Sequence, residues 1–217
     1  MAQLFPPNAN AFAKWSIIGG LILVVLLVWV MAAYARIAND RVGVPVEQPV
    51  AFSHRLHAGE LGLSCLYCHT SVDTAAFAGI PSTETCMSCH TQIRVGDPRL
   101  AVVQASWDTD TRIAWNRVHD LADHVFFDHS AHINSGIGCS ECHGPVHQMD
   151  GMWKNEPLTM AWCLDCHRAP ELYIRPREEV FNMDWQRPAD QLAFGHSLVK
   201  AYDINRDLLM QCSTCHQ

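Results

Sequence analysis

Five copies of one pentapeptide govern what this chain can become. Cys-x-x-Cys-His occurs at Cys65-Cys68-His69, Cys86-Cys89-His90, Cys139-Cys142-His143, Cys163-Cys166-His167 and Cys212-Cys215-His216. The five copies consume all ten cysteines, so none is left for a disulfide. Two thiols separated by two residues can each form a thioether to a haem vinyl group, and the next side chain then lies under the iron as proximal ligand. A zinc ribbon or a thioredoxin-type dithiol also uses paired cysteines. Neither explains a histidine directly after the second cysteine in every copy, so the expected cofactor is five covalently bound haem c.

That number of haems sets the fold class. With the first 36 of the 217 residues set aside, roughly 36 residues remain per haem, too few for an ordinary apolar core. The rings must form the core, and the expected fold is mainly α with much irregular loop and little or no sheet. Formal net charge is −7, and no basic stripe suggests a nucleic-acid partner.

Residues 1–14 are polar and turn-rich. From Trp15 to Ala35 there is no charge, and 21 helical residues span about 31 Å, the thickness of a hydrocarbon core. A transmembrane helix is expected over 15–36. Ala33-Tyr34-Ala35 offers a signal-peptidase site, but the apolar run exceeds the usual h-region, which favours an uncleaved anchor. Lysine and arginine do not settle its orientation. Because c-type haem is attached outside the cytoplasm, the amino terminus is expected inside and the haem domain outside the bacterial inner membrane. Residues 37–50, with Gly43, Pro45 and Pro49, read as an extended tether to a haem domain over 51–217.

Within that domain a pattern repeats. Phe52, His54 and His57 recur as Phe127, His129 and His132 at an offset of 75; Cys65 recurs as Cys139 at 74 and Cys86 as Cys163 at 77. This predicts duplication of a two-haem module, with modules at 52–90 and 127–167, a helical insert at 91–126 and a tail at 168–217 carrying the last haem. His54, His57, His129 and His132 are the expected distal ligands. The first of each pair should cap a haem of its own module and the second a neighbour.

One iron is then short of a ligand. Methionine is the other common axial ligand of c-type haem, and Met149, in a loop after His143, is the first choice, with Met160 and His119 behind it. His119 and His124 lie in a stretch where Val118, Leu121, Val125 and Phe126 have helical spacing. Asp97-Pro98 and Asn205 read as helix starts, and Arg175 and Arg177 as candidate propionate partners.

The anchor, the doubled F-x-H-x-x-H, the five motifs, CSECHGPVHQM and LTMAWCLDCHR together resemble the pentahaem cytochrome c subunit of alternative complex III, over nearly the whole chain. The resemblance implies an electron-transfer subunit, not itself an enzyme, of a quinol:acceptor oxidoreductase in the respiratory chain. It implies an iron–sulfur subunit, a quinol-binding multispan subunit and a monohaem cytochrome as partners, with a soluble copper protein or cytochrome c as acceptor. It also keeps His119, in WNRVHDL, open as a ligand. Two alternatives differ in class: a stand-alone anchored multihaem quinol dehydrogenase, and a multihaem redox enzyme with one open haem site.

Overall fold

A computed structural model describes residues 6–216. Residues 1–5, part of the N-terminal segment expected over 1–14, and residue 217 lie outside the described residues. The chain divides into two compact units, Met1–Arg41 and Val42–Gln217.

The first unit is one helix, α1 (Ala9–Asp40). It starts after Pro6-Pro7, where proline suits a helix entry, and ends at Arg41 in the left-handed conformation. No proline or glycine interrupts the backbone between Ala35 and Gly43. The helix therefore takes in Ile37 to Asp40, residues expected to be extended. Among the described residues it is the one helix long and apolar enough to cross a membrane, over Ala9–Ala35.

The second unit has no β-strand among its described residues. Its backbone pairing outside helices is limited to isolated bridges such as Val42 with Lys154 and Val125 with His216. Its helices are short: α2 (Cys65–Cys68), α3 (Thr83–His90), α4 (Ala101–Thr109), α5 (His129–Asn134), α6 (Cys139–His143), α7 (Met160–Arg168), α8 (Gln191–Ala201), α9 (Arg206–Leu209) and α10 (Cys212–Cys215). Isolated helices of this length are not stable in water, so tertiary contacts and side-chain caps must hold them. Asp97 accepts from Arg99 N–H at 3.0 Å at the turn leading into α4, and Asn205 accepts from Asp207 N–H at 3.0 Å to open α9.

The chain's own apolar core is small. Val50, Met87 and Val103 form one cluster, where α3 meets α4, and Val72, Ile133 and Val180 form another. A domain of this size closed by two such clusters needs other material at its centre.

The expected helix through Val118 and Phe126 does not form. The segment is irregular because its backbone is engaged elsewhere: Asn116 N–H donates to the Gln48 side chain at 2.9 Å, and Phe126 N–H donates to Cys215 O at 2.7 Å. Tertiary partners outbid a weak local period.

The tightest element contact sets α8 on the turn Pro170–Leu172. Gln191 Nε2 donates to Glu171 O and Ile174 O at 2.8 and 2.9 Å. Gly195 is buried one turn further on, where a Cβ would collide with the Glu171 carbonyl, a backbone atom that cannot swing aside. Gly195→Ala is expected to cost about 1–3 kcal/mol, as overpacking does, and to lower the thermal midpoint of the holoprotein. An unchanged midpoint would mean the turn moves freely.

Candidate haem sites

Each motif lies on a helical turn. Residues three and four apart share a face of a helix, so both thiols and the following imidazole of every copy point the same way. The turn is closed by the backbone, for example by His69 N–H donating to Cys65 O at 2.9 Å and His216 N–H to Cys212 O at 2.9 Å. No disulfide joins any two of the ten cysteines. Among the described residues no group of three or more His, Cys, Asp or Glu is arranged to hold a metal ion by itself.

The duplicated F-x-H-x-x-H segments have the same local geometry. Phe52 meets His54 edge-on at 4.8 Å and stacks on His57 at 4.5 Å; Phe127 meets His129 at 4.8 Å and stacks on His132 at 4.5 Å. The aromatic ring is thus a spacer that sets both imidazoles. His57 Nδ1 faces Ser53 O at 2.9 Å and His132 Nδ1 faces Asp128 O at 2.7 Å. A carbonyl there holds the proton on Nδ1 and leaves the Nε2 lone pair for a metal. His57 sits on a wide turn closed by Leu61 N–H to Leu56 O, five residues back, a form often found at functional sites.

The structure brings these histidines to face the motif histidines. Ring centroids lie 6.3 Å apart for His57 and His90, 6.2 Å for His132 and His167, and 6.4 Å for His129 and His143. Two imidazoles bound through nitrogen to opposite sides of one metal, at about 2 Å each, have centroids roughly 6 Å apart, so these spacings fit an iron between them. His54 is close enough to His69 for that imidazole to oppose its protonation.

A fifth pairing lies outside the repeat. His124 stacks on His216 at 5.5 Å with 21° between the rings, and His216 Nδ1 faces His124 O at 3.3 Å. His124 has no counterpart in the first module and stands at no fixed spacing from a motif. The one local signal was its bare presence among the unassigned histidines. Met149 is fully buried, its carbonyl accepting from Arg55 N–H at 3.0 Å, while Met160 is 61% exposed. His119 approaches His143 from another side, with its Nε2 at 3.2 Å from His143 Nδ1.

Burial favours the neutral form of His54, His119, His132 and His143, the form that binds metal. It lowers His143 to about 3, with His119 and His129 adding to the effect, and lowers His54 to about 4. His54 Nδ1 is also buried without a hydrogen-bond partner. Burial likewise depresses His132, and it depresses His119 together with the charge of Lys154.

The thiols show which motifs are neighbours. Burial raises Cys68, with Cys86 next among the causes; Tyr67 and Ser88 of the same two motifs share a hydrogen bond at 2.7 Å. Burial pushes Cys139 up to about 11, with Cys65 adding, and Cys142 to about 12, with Cys166 adding. Cys163 is raised by burial and then by Cys215. Numbered along the chain, neighbouring thiols pair the second motif with the first, the first with the third, the third with the fourth and the fourth with the fifth.

The two arginines that read as candidate propionate partners also have partners within the protein. Arg175 is 2% exposed; its Nη2 donates to Glu141 Oε1 at 2.6 Å and to Ser140 Oγ at 3.1 Å. Arg177 Nε donates to Asn134 O at 2.6 Å, and its guanidinium lies 4.2 Å from the Tyr202 ring centre.

These paired cysteines on helical turns, with imidazoles facing each other across a metal-sized gap, have a counterpart among known families. Residues 31–113 match the class III cytochrome C family. The matched stretch holds the first two motifs with His54 and His57, and the family is one of covalently bound haem. The chain is also 38% identical over 98 residues to the "Menaquinone reductase, multiheme cytochrome c subunit" of Nitratidesulfovibrio vulgaris (strain Hildenborough). The alignment covers 45% of this chain and 46% of that relative, so it spans under half the length of either. Among its described residues the chain is mostly helical without sheet, with one apolar N-terminal helix, and its likeness to multihaem cytochromes c lies in the matched stretches.

Proposed function

We propose that this chain is a membrane-anchored pentahaem cytochrome c that relays electrons between a quinol-oxidising membrane complex and a soluble acceptor outside the cytoplasm. The observation that carries the reading is the facing of motif histidines by second histidines, which would give each iron two histidine ligands and suits transfer over substrate binding. His69, His90, His143, His167 and His216 are the proximal ligands. His54, His57, His129, His132 and His124 face them in that order as distal ligands. When bound, haem supplies a one-electron ferric–ferrous couple at each site. The protein's own residues fix ligand orientation, keep the imidazoles neutral and bring successive motifs side by side. The second and fifth motifs are the two ends of the series. Helix α1 anchors the chain with its amino terminus inside, and iron–sulfur and multispan quinol-binding subunits, with a monohaem cytochrome, are the proposed partners, as in alternative complex III.

His124, and not Met149, is the proposed fifth distal ligand. His124→Ala is expected to convert one haem of the five to high spin, whereas Met149→Leu leaves all of them low-spin, as read by low-temperature electron paramagnetic resonance. The opposite pattern would return Met149 to the iron.

A second reading reverses the direction. The relative's name places a quinone at the accepting end, and the same series could then carry electrons from a soluble donor to menaquinone. One experiment separates the readings. The complex is extracted in mild detergent and the haem band is followed after adding menaquinol, or after adding a reduced soluble cytochrome c together with menaquinone. Rapid haem reduction by menaquinol only with the partner subunits present supports the proposal. Menaquinone consumption with the reduced cytochrome supports the reverse direction, and reduction of the isolated chain by quinol would give it a quinol site of its own.

A further inference from the structure

The motif histidines are not held alike. His69 Nδ1 faces Gly79 O at 2.8 Å, His90 Nδ1 faces Ile93 O at 3.1 Å, His167 Nδ1 faces Leu209 O at 2.9 Å and His216 Nδ1 faces His124 O at 3.3 Å. In all four the partner is a backbone carbonyl. His143 Nδ1 instead meets a side chain, His119 Nε2, at 3.2 Å, with the two rings at 75° and their centroids 4.3 Å apart.

We propose that His119 is a positioning residue whose Nε2 accepts the Nδ1–H of His143, orienting that imidazole and setting the third haem to a lower potential than a carbonyl partner would. The inference rests on His143 being the proximal ligand of the third iron.

The argument is one of geometry and basicity. A metal-bound imidazole uses one ring nitrogen for the metal and donates from the other, and the acceptor of that second bond tunes the ligand. An imidazole nitrogen is a better base than an amide oxygen, so it draws the Nδ1 proton further and leaves more negative charge on His143. A more electron-rich ligand stabilises ferric over ferrous iron. In this arrangement His119 keeps its own proton on Nδ1 and acts only as acceptor. Its Nε2 is spent on the Nδ1 side of His143, whereas His129 lies 6.4 Å away with its ring within 10° of parallel. His129 is therefore the histidine that would hold the iron together with His143, and His119 is left the outer position. The sequence sets His119 within an irregular stretch 24 residues ahead of His143, so no repeat or fixed spacing marks it.

The test is made on the complex carrying its haems. His119→Phe and His119→Ala remove the acceptor with different bulk, and His119→Gln restores one through its amide oxygen. Haem content, spin state and a potentiometric titration are recorded for each, beside His143→Ala. The expected result is five low-spin haems in every His119 variant, with one of the five midpoint potentials shifted upward in the Phe and Ala proteins and moved back toward wild type in the Gln protein. Unshifted potentials in both apolar variants would overturn the inference, as would the appearance of a high-spin haem, which would make His119 an iron ligand itself. His143→Ala should open the third iron and produce one high-spin haem. A fully low-spin His143→Ala protein would instead sink the ligand assignment beneath the inference, a failure that the His119 variants alone would not show.

Discussion

Replacing Cys139 and Cys142 together with serine is expected to leave four haems in place of five and to abolish quinol-driven reduction of the soluble acceptor. The size of the effect comes from where the third motif sits. Cys139 is next to Cys65 of the first motif, and Cys142 is next to Cys163 and Cys166 of the fourth. The imidazole of His143 is near both His69 and His54. Among these neighbouring thiols the third motif joins the first, which itself adjoins the second, to the fourth, which adjoins the fifth. Haem stoichiometry by pyridine haemochrome and acceptor reduction by stopped flow are the measurements. Fast acceptor reduction in a four-haem protein would show that the ends communicate without the third site and would break the proposed order. The corresponding change at Cys212 and Cys215, at one end of the series, should remove one haem while quinol still reduces those before it.

The second large effect is structural. Arg175 is almost wholly buried, pairs with Glu141 inside the third motif and lies with its guanidinium 4.5 Å from the Trp185 ring centre. Its side chain fills the space beside Gly138, where a Cβ would strike the guanidinium. Arg187 Nη2 reaches the other oxygen of Glu141 at 2.5 Å. Removing one partner of a buried pair costs about 3–5 kcal/mol because the other charge is left buried without its counter-ion. Arg187, itself 44% exposed at the side chain, retains part of the interaction, so Arg175→Met is expected to cost about 3 kcal/mol, the lower end of that range. Denaturant unfolding of the holoprotein checks this. The double variant Arg175→Met with Glu141→Gln should recover much of the loss, since neither charge is then stranded. If the double variant is no more stable than the single one, packing and not charge is the cause. Arg175 thus holds the segment after α7 onto the helix of the third motif, a position from which it steadies the centre of the series.

Much of the site was legible because its determinants are local. Each motif places two thiols and an imidazole on one face of a single turn, and the aromatic spacer Phe52 or Phe127 sets two more imidazoles within six residues. The duplication made those histidines stand out from the other members of a histidine-rich chain. The irregular stretch around His119 and His124 was misread, because Val118, Leu121 and Val125 carry a helical period that the backbone bonds of Asn116 and Phe126 override. The protein partners of Arg175 and Arg177 were out of reach of any local pattern for a related reason: Glu141 and Asn134 lie 34 and 43 residues away.

The amino-acid sequence by itself determined the paired-cysteine motifs, the helical character and the apolar segment, since two cysteines with an adjacent histidine and a run of uncharged residues are properties of contiguous chain. Only the tertiary structure decided which histidine faces which, the succession of the motifs, and the fifth partner. His124 meets His216 across 92 residues, and such a meeting depends on how the loops between the motifs close and pack, which is a property of the whole domain.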